Sequence, residues 1–229
     1  MPDTTLTWLG HAAFRFDTPG GKRVYIDPFL HGNPKCPESE QEPERVDVIA
    51  LTHAHGDHVG DTVELAKKHG CTVIAPVELA DWLQIKHSLE NVLDPNKGGT
   101  VSVDDIRFTM TNAHHSSSNN DGAYTGEPCG IVVRAEGKSV YFAGDTCVFG
   151  DMALIGRLYR PDLAVLPIGD HYTMGPDQAA LALELLGVNR CVPCHWGTFP
   201  PLVGRPDQLR ELAPNVTVED VEPGGSVTV

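Results

Sequence analysis

The chain has no apolar stretch approaching the ~20 residues of a membrane-spanning helix. Its opening, Met1-Pro2-Asp3-Thr4-Thr5, lacks the basic start and apolar run of a secretory signal. We therefore expect no membrane insertion and a cytoplasmic protein. Basic residues are scarce: 17 Lys and Arg stand against 31 Asp and Glu, a formal charge of −14, and no basic run exceeds Lys67-Lys68. Nucleic-acid partners are excluded on that ground, because gripping a phosphate backbone requires clustered cations. A small-molecule substrate, even an anionic one, stays open because a bound metal would offset acid locally. A salt-rich habitat would produce the same acidic surface. No repeat of fixed period runs through the sequence. Cys36, Cys71, Cys129 and Cys147 show no framework spacing, which fits a reducing compartment. With 229 residues and 41% hydrophobic content, the chain can bury one large core, and we expect a single domain over residues 1–229, with a homo-oligomer compatible.

What is abundant is histidine in patterned positions. His53-Ala54-His55-Gly56-Asp57-His58 closes the apolar run Val46-Asp47-Val48-Ile49-Ala50-Leu51. In an extended segment side chains alternate, so His53 and His55 point the same way and can share one ion. Asp57 and His58 fall where the chain should turn helical, which lets them face a second ion. Three further segments end strand-like runs in metal-competent residues: His114-His115 after Ile106-Arg107-Phe108-Thr109-Met110, Asp145 after Ser139-Val140-Tyr141-Phe142-Ala143-Gly144, and His195 after Arg190-Cys191-Val192-Pro193-Cys194. Residues just past the carboxyl ends of strands share a rim in strand-plus-helix folds. Of His114 and His115, adjacent on an extended segment, only one can easily reach a common metal.

The order H-x-H-x-D-H, lone His, G-D-T, late His resembles that of the metallo-β-lactamase fold hydrolases over residues 53–195. Trp8-Leu9-Gly10-His11, His171-Tyr172-Thr173-Met174-Gly175-Pro176 and His195-Trp196-Gly197-Thr198-Phe199-Pro200 look like a small, UPF0173-like branch of metal-dependent hydrolases. That branch is related to the ascorbate-lactonase and N-acylphosphatidylethanolamine phospholipase groups. The resemblance implies an α/β, four-layer αββα sandwich made of two similar halves. It implies that His53, His55 and His115 hold one ion, that Asp57, His58 and His195 hold the other, and that Asp145 bridges them. His115 is preferred over His114 because the family ligand immediately precedes the Ser-Ser pair. Two divalent transition-metal ions are implied, zinc first, with manganese, iron or nickel also suited to imidazole and carboxylate. A hydroxide trapped between ions about 3.5–4 Å apart would attack a small ester, lactone or phosphodiester, aimed by Asp57. A non-catalytic metal-binding sensor or assembly protein of the same fold is the alternative.

His11 and His171 are candidates for substrate contact or proton donation, with Asp170 placed to orient the His171 ring; each equally suits an ordinary structural imidazole. His31, His69 and His87 read as surface residues. Cys191-Val192-Pro193-Cys194-His195 matches a haem-attachment pattern, but the histidine is already claimed by the metal site, so both cysteines read as small apolar strand residues. Thr5–Leu9, Ala12–Phe16 and Arg23–Ile26 read as strands. Asp61 with Glu64 resembles a capping pair for a helix stopped by Gly70, and Gly175-Pro176-Asp177 opens a helix over Gln178–Leu186 that ends before Gly187. The polar, proline-rich Asn33–Pro43 reads as a surface loop.

Overall fold

The structure, a computed structural model, describes residues 3–229. A first sheet is built from β1 (Thr5–Trp8), β2 (Phe14–Asp17), β3 (Arg23–Ile26), β4 (Val48–Ala50), β5 (Thr72–Ile74) and β6 (Val92–Leu93). A second contains β7 (Thr100–Val103), β8 (Ile106–Asn112), β9 (Cys129–Ala135), β10 (Lys138–Phe142), β11 (Leu163–Pro167), β12 (Arg190–Cys194) and β13 (Thr217–Val218). The last strand, β14 (Ser226–Thr228), returns to the first sheet and pairs antiparallel with β1. Four helices precede β7: α1 (Glu38–Gln41), α2 (Gly56–Val59), α3 (Thr62–His69) and α4 (Val77–His87). Three follow β10: α5 (Met152–Tyr159), α6 (Pro176–Leu186) and α7 (Pro206–Leu212).

The two sheets share one plan. β1, β2 and β3 are antiparallel and β3 through β6 run parallel; likewise β7 through β10 are antiparallel and β10 through β13 run parallel. Strand periodicity explains how they stack. Val48 and Ala50 join Phe14, Phe16, Phe108, Val140 and Phe142 in the core between the sheets, whereas Ile49 faces outward into a second core with Leu65, Leu79 and Leu83 of α3 and α4. In β10 the same alternation sends Tyr141 into a third core with Met152, Ile155 and Leu183 of α5 and α6. Strands buried on both faces read as continuous apolar runs. Three cores between four layers make the αββα sandwich.

Local signals mostly match. Pro176 opens α6, and Gly70 and Gly187 end their helices in the left-handed conformation, at φ of 62° and 66°. Cys191 and Cys194 are buried in different cores, and burial pushes the Cys191 thiol up to about 12, so both are inert packing residues. Three expectations are corrected. Asp61 makes no side-chain cap on α3, because its carboxylate accepts instead from the Leu30 and His31 amides at 2.7 and 3.0 Å and from His31 Nδ1. Asn33–Pro43 is a surface segment with one helical turn in it, tied down by an Arg15–Glu40 ion pair. His69 and His87 are half-buried, the latter edge-on to Trp82, so only His31 among those three is a surface residue.

Candidate metal centre

Each histidine or carboxylate of the centre lies just past the carboxyl end of a strand or in the turn that follows. β4 runs into Thr52, His53 and His55, and α2 then brings Asp57 and His58 round on its single turn. His115 follows β8, Asp145 follows β10 and His195 follows β12. Two of the flanking strands supply more: His11 sits past β1 and Asp27 past β3. Between β10 and Asp145, Gly144 has φ 63°, and a Cβ there would lie 2.8 Å from the Cys129 carbonyl oxygen, so the turn that presents Asp145 requires glycine. His11, Asp27 and His195 also hold positive φ, at 55°, 46° and 53°. Strained backbone of this kind persists only where surrounding packing enforces it.

The side chains converge in two groups, in each of which one ligand atom per residue lies within 4.8 Å of the others. The first group is His53, His55, His115 and Asp145; the second is His11, Asp57, His58 and His195. Asp145 Oδ2 faces both, lying 3.5 Å from His115 Nε2, 3.4 Å from His58 Nε2 and 3.2 Å from His195 Nε2. All seven predicted metal ligands are thus brought together, with His115 rather than His114 turned inward. His114 is exposed, stacked on Phe149, and accepts from Asn112 Nδ2.

His11 enters the second group, a placement beyond its sequence reading as a substrate or proton-donor candidate. It is fully buried, its Nε2 lies 2.9 Å from Asp57 Oδ2, and its carbonyl accepts from the His195 amide. Asp27, which the sequence reading passed over, is buried behind the ligands. Its Oδ2 accepts from His58 Nδ1 at 2.7 Å and from Thr52 Oγ1 at 2.6 Å. With its proton given to Asp27, the Thr52 hydroxyl accepts from His53 Nδ1 at 2.9 Å. One carboxylate therefore orients two histidines through their Nδ1–H groups, and turns both Nε2 atoms towards the centre, where they become the lone pairs a metal would take.

Those lone pairs test whether a metal fits. His58 Nε2 and Asp145 Oδ1 are buried without any hydrogen-bond partner, which costs free energy unless a cation satisfies them. His53 Nε2 and His55 Nδ1 face each other at 3.0 Å, close to the roughly 3.3 Å expected of two nitrogens on one tetrahedral ion. Imidazole and carboxylate donors suit divalent transition metals. The residues fit.

Without the ions the rings divide into neutral ones and one, His58, that holds a proton where a cation would sit. Burial, reinforced by neighbouring imidazoles, depresses the His53, His55 and His115 imidazoliums, and holds His11 down at about 4, so these rings are neutral ligands or donors. Burial acts on His58 as well, but the Asp145 and Asp27 carboxylates outweigh it and raise its pKa well above the usual range. For Asp145, burial favours the neutral acid and is overcome by His195 and His58; for Asp57 it is overcome chiefly by the His11 hydrogen bond. Both stay ionised.

A cleft of about 520 Å³ opens onto the ligands, walled by Ser116, Tyr172, Phe199 and Pro201. His171 is exposed and not among the residues lining it; its ring meets Tyr172 edge-on. Asp170 accepts from the His171 backbone amide at 2.8 Å, so the expected support of the ring by Asp170 is replaced by support of the turn. Among the described residues no helix is long and apolar enough to cross a membrane.

Comparison with known proteins agrees with this geometry. Residues 22–196 match the model of the β-lactamase superfamily domain. A UPF0173 metal-dependent hydrolase from Koribacter versatilis is 49% identical over 223 residues, covering 96% of this chain and 95% of the relative. A second, from Herpetosiphon aurantiacus, is 47% identical and covers 100% of this chain and 99% of its own length. The solved structure of Igni18, a metallo hydrolase from the archaeon Ignicoccus hospitalis, superposes with a TM-score of 0.88 at 34% identity, over 100% of this chain and 99% of that one. The chain therefore belongs to the UPF0173 metal-dependent hydrolase family of the β-lactamase superfamily.

Proposed function

We propose that this chain is a dinuclear metal hydrolase of small ester, lactone or phosphodiester substrates, with zinc the first choice of metal and manganese, iron or nickel as alternatives. The observation that carries the reading is Asp145 Oδ2, which faces His115 of one ligand group and His58 and His195 of the other. His53, His55 and His115 would hold one ion, Asp57, His58 and His195 the second, and Asp145 both. Two ions so held supply Lewis acidity and a water acidified towards neutral pH.

The chain's own residues do the rest. Asp27 and Thr52 hold the Nδ1–H groups of His58 and His53 and so turn their Nε2 atoms inward; on His58 the Nε2 proton would give way to a bound cation. His11 donates from Nε2 to Asp57, which fixes a carboxylate that is one-third exposed to the cleft and can accept a proton from the attacking water. We assign His11 to positioning Asp57, because a neutral, buried ring whose Nε2–H is already given to that carboxylate has no proton to spare for a leaving group. His171 is assigned to the exposed turn beside the cleft.

Reconstitution with each metal, elemental analysis and a panel of chromogenic esters, lactones and phosphodiesters test this. About two ions per chain at saturation, and turnover that a chelator abolishes, are expected. One ion at saturation overturns the dinuclear site; two ions without turnover of any panel member overturn the hydrolase.

A further inference from the structure

Resting on that reading of the centre, we propose that the cleft selects substrates that are uncharged beyond the reacting group and that carry a flat apolar group, seated against Tyr172 and Phe199. The floor of the cleft is all ligand side chains, but its walls are not. Tyr172 and Phe199 are 57% and 37% exposed, and both face the same 520 Å³ space with Pro201. Large aromatic rings left in water around one concavity mark where a ligand's apolar surface is buried.

These walls are built rather than incidental. Tyr172 stands on a turn in which Asp170 and His171 both take left-handed backbone, at φ of 63° and 60°, closed by the Tyr172 amide on the Asp170 carbonyl. Two consecutive non-glycine residues in that region persist where the surrounding structure holds them. Phe199 packs edge-on over the His11 ring, 5.4 Å between centroids, and its carbonyl accepts from the Leu202 amide. An apolar group lying on Phe199 is thereby placed directly beside the second ligand group.

Charge excludes the alternative. Among the described residues that line the cleft there is no lysine or arginine. A second groove of about 540 Å³ continues past His115, and it too contains no cation but does contain Glu127. The nearby Lys97 is already committed to Glu127 and to Asn112 Oδ1, at 2.9 and 2.8 Å. A carboxylate or phosphate on the distal part of a substrate would find no lysine or arginine in either groove, and the net charge of −14 repels it from further off.

Three hydroxamates that share one metal-seeking head test this by calorimetry on the metal-loaded protein: acetohydroxamate, benzohydroxamate and 4-carboxybenzohydroxamate. Because the readout is binding, it is independent of whether any panel ester is hydrolysed. Benzohydroxamate should bind about tenfold more tightly than acetohydroxamate, and the added carboxylate should remove most of that gain. Phe199→Ala and Tyr172→Ala should each erode the phenyl advantage while leaving acetohydroxamate affinity unchanged, and Tyr172→Arg should restore binding of the carboxylated ring. Equal affinity for the acetyl and phenyl compounds, tighter binding of the carboxylated one to wild type, or equal losses for all three in the alanine variants would each overturn the proposal. So would a Tyr172→Ala protein of changed solution mass and unchanged hydroxamate affinity, which would assign the ring to contact between copies.

Discussion

The two ligand groups have equal numbers of side chains and different kinds of support. In the first, His53 and His55 come from one extended segment; His53 is backed by its neighbour Thr52, and His55 by Ser116 Oγ at 3.4 Å from the turn after β8. The second is assembled from opposite ends of the chain. His11 and His195 both hold left-handed backbone, the His195 amide donates to the His11 carbonyl, and their rings lie 4.0 Å apart. Strand alternation sets only the His53–His55 half of the first group, whose His115 and Asp145 come from the other sheet; the second group likewise joins the local pair Asp57 and His58 to His11 and His195, which meet only when β1 and β12 have been brought together. Asp27 ties the two, holding His58 directly and His53 through Thr52.

The sharpest test is Asp145→Ala, which removes the carboxylate that faces both groups. Both occupancies should fall, by more than the about 10–100-fold that loss of an outer partner costs, whereas His115→Ala should lower only one. Elemental analysis of each variant at limiting metal reads the difference. An Asp145→Ala protein that retains one full-affinity ion would place that residue in a single group.

Stability of the metal-free protein tests the burial of the second group. His11 has a folded pKa of about 4 against an ordinary 6.5, so between those values the unfolded chain binds a proton that the folded one refuses, and stability should rise with pH by roughly 3 kcal/mol from this residue. His53, also depressed, adds in the same direction. His58 is raised, so its contribution is complete below 6.5 and is lost as pH climbs from there through its folded value. Urea unfolding of chelated protein should therefore show a maximum near pH 6.5, and a midpoint that rises on acidification towards pH 4 would refute the neutral burial of His11.

Asp27→Asn should weaken both ions by about 10–100-fold, because its partners lie in both groups. Thr52→Val should act on the His53 ion alone, at the lower end of that range. Equal effects of Thr52→Val on the two ions would mean that the Thr52–His53 bond is not what separates them. The smallest effects belong to exposed histidines: His114→Ala and His171→Ala should each leave metal content unchanged and alter metal affinity by no more than about twofold. A large loss of metal in His114→Ala with none in His115→Ala would reverse the ligand assignment.

Much of this centre was legible because its densest segment, His53 to His58, obeys short-range rules and the rest repeats one position relative to a strand end. Alternation along Val48–His55 puts His53 and His55 on one side, and a ligand-competent residue after each of β8, β10 and β12 announces a shared rim. The same rule applied to β1 and β3 points to His11 and Asp27. Neither carries a dense motif, so each reads in isolation as an ordinary polar residue after a short strand. Asp61 illustrates the opposite error: its spacing to Glu64 fits a capping pair, but two backbone amides of the Leu30–His31 turn compete for the same carboxylate and win.

By itself the sequence determined the layers and seven of the candidate ligands. Strands with apolar residues on both faces must be covered on both sides, and H-x-H-x-D-H at the end of such a strand must sit on its rim. Tertiary structure decided what needs two distant segments at once: Asp145 facing both groups, His11 locked to Asp57, and Tyr172 and Phe199 meeting across one cleft. The physical reason is range. Periodicity and capping act within a few residues, whereas the burial that shifts His11, Asp145 and His58, and the packing that enforces strained backbone at Asp27, His11 and His195, arise only when both sheets close on their common core.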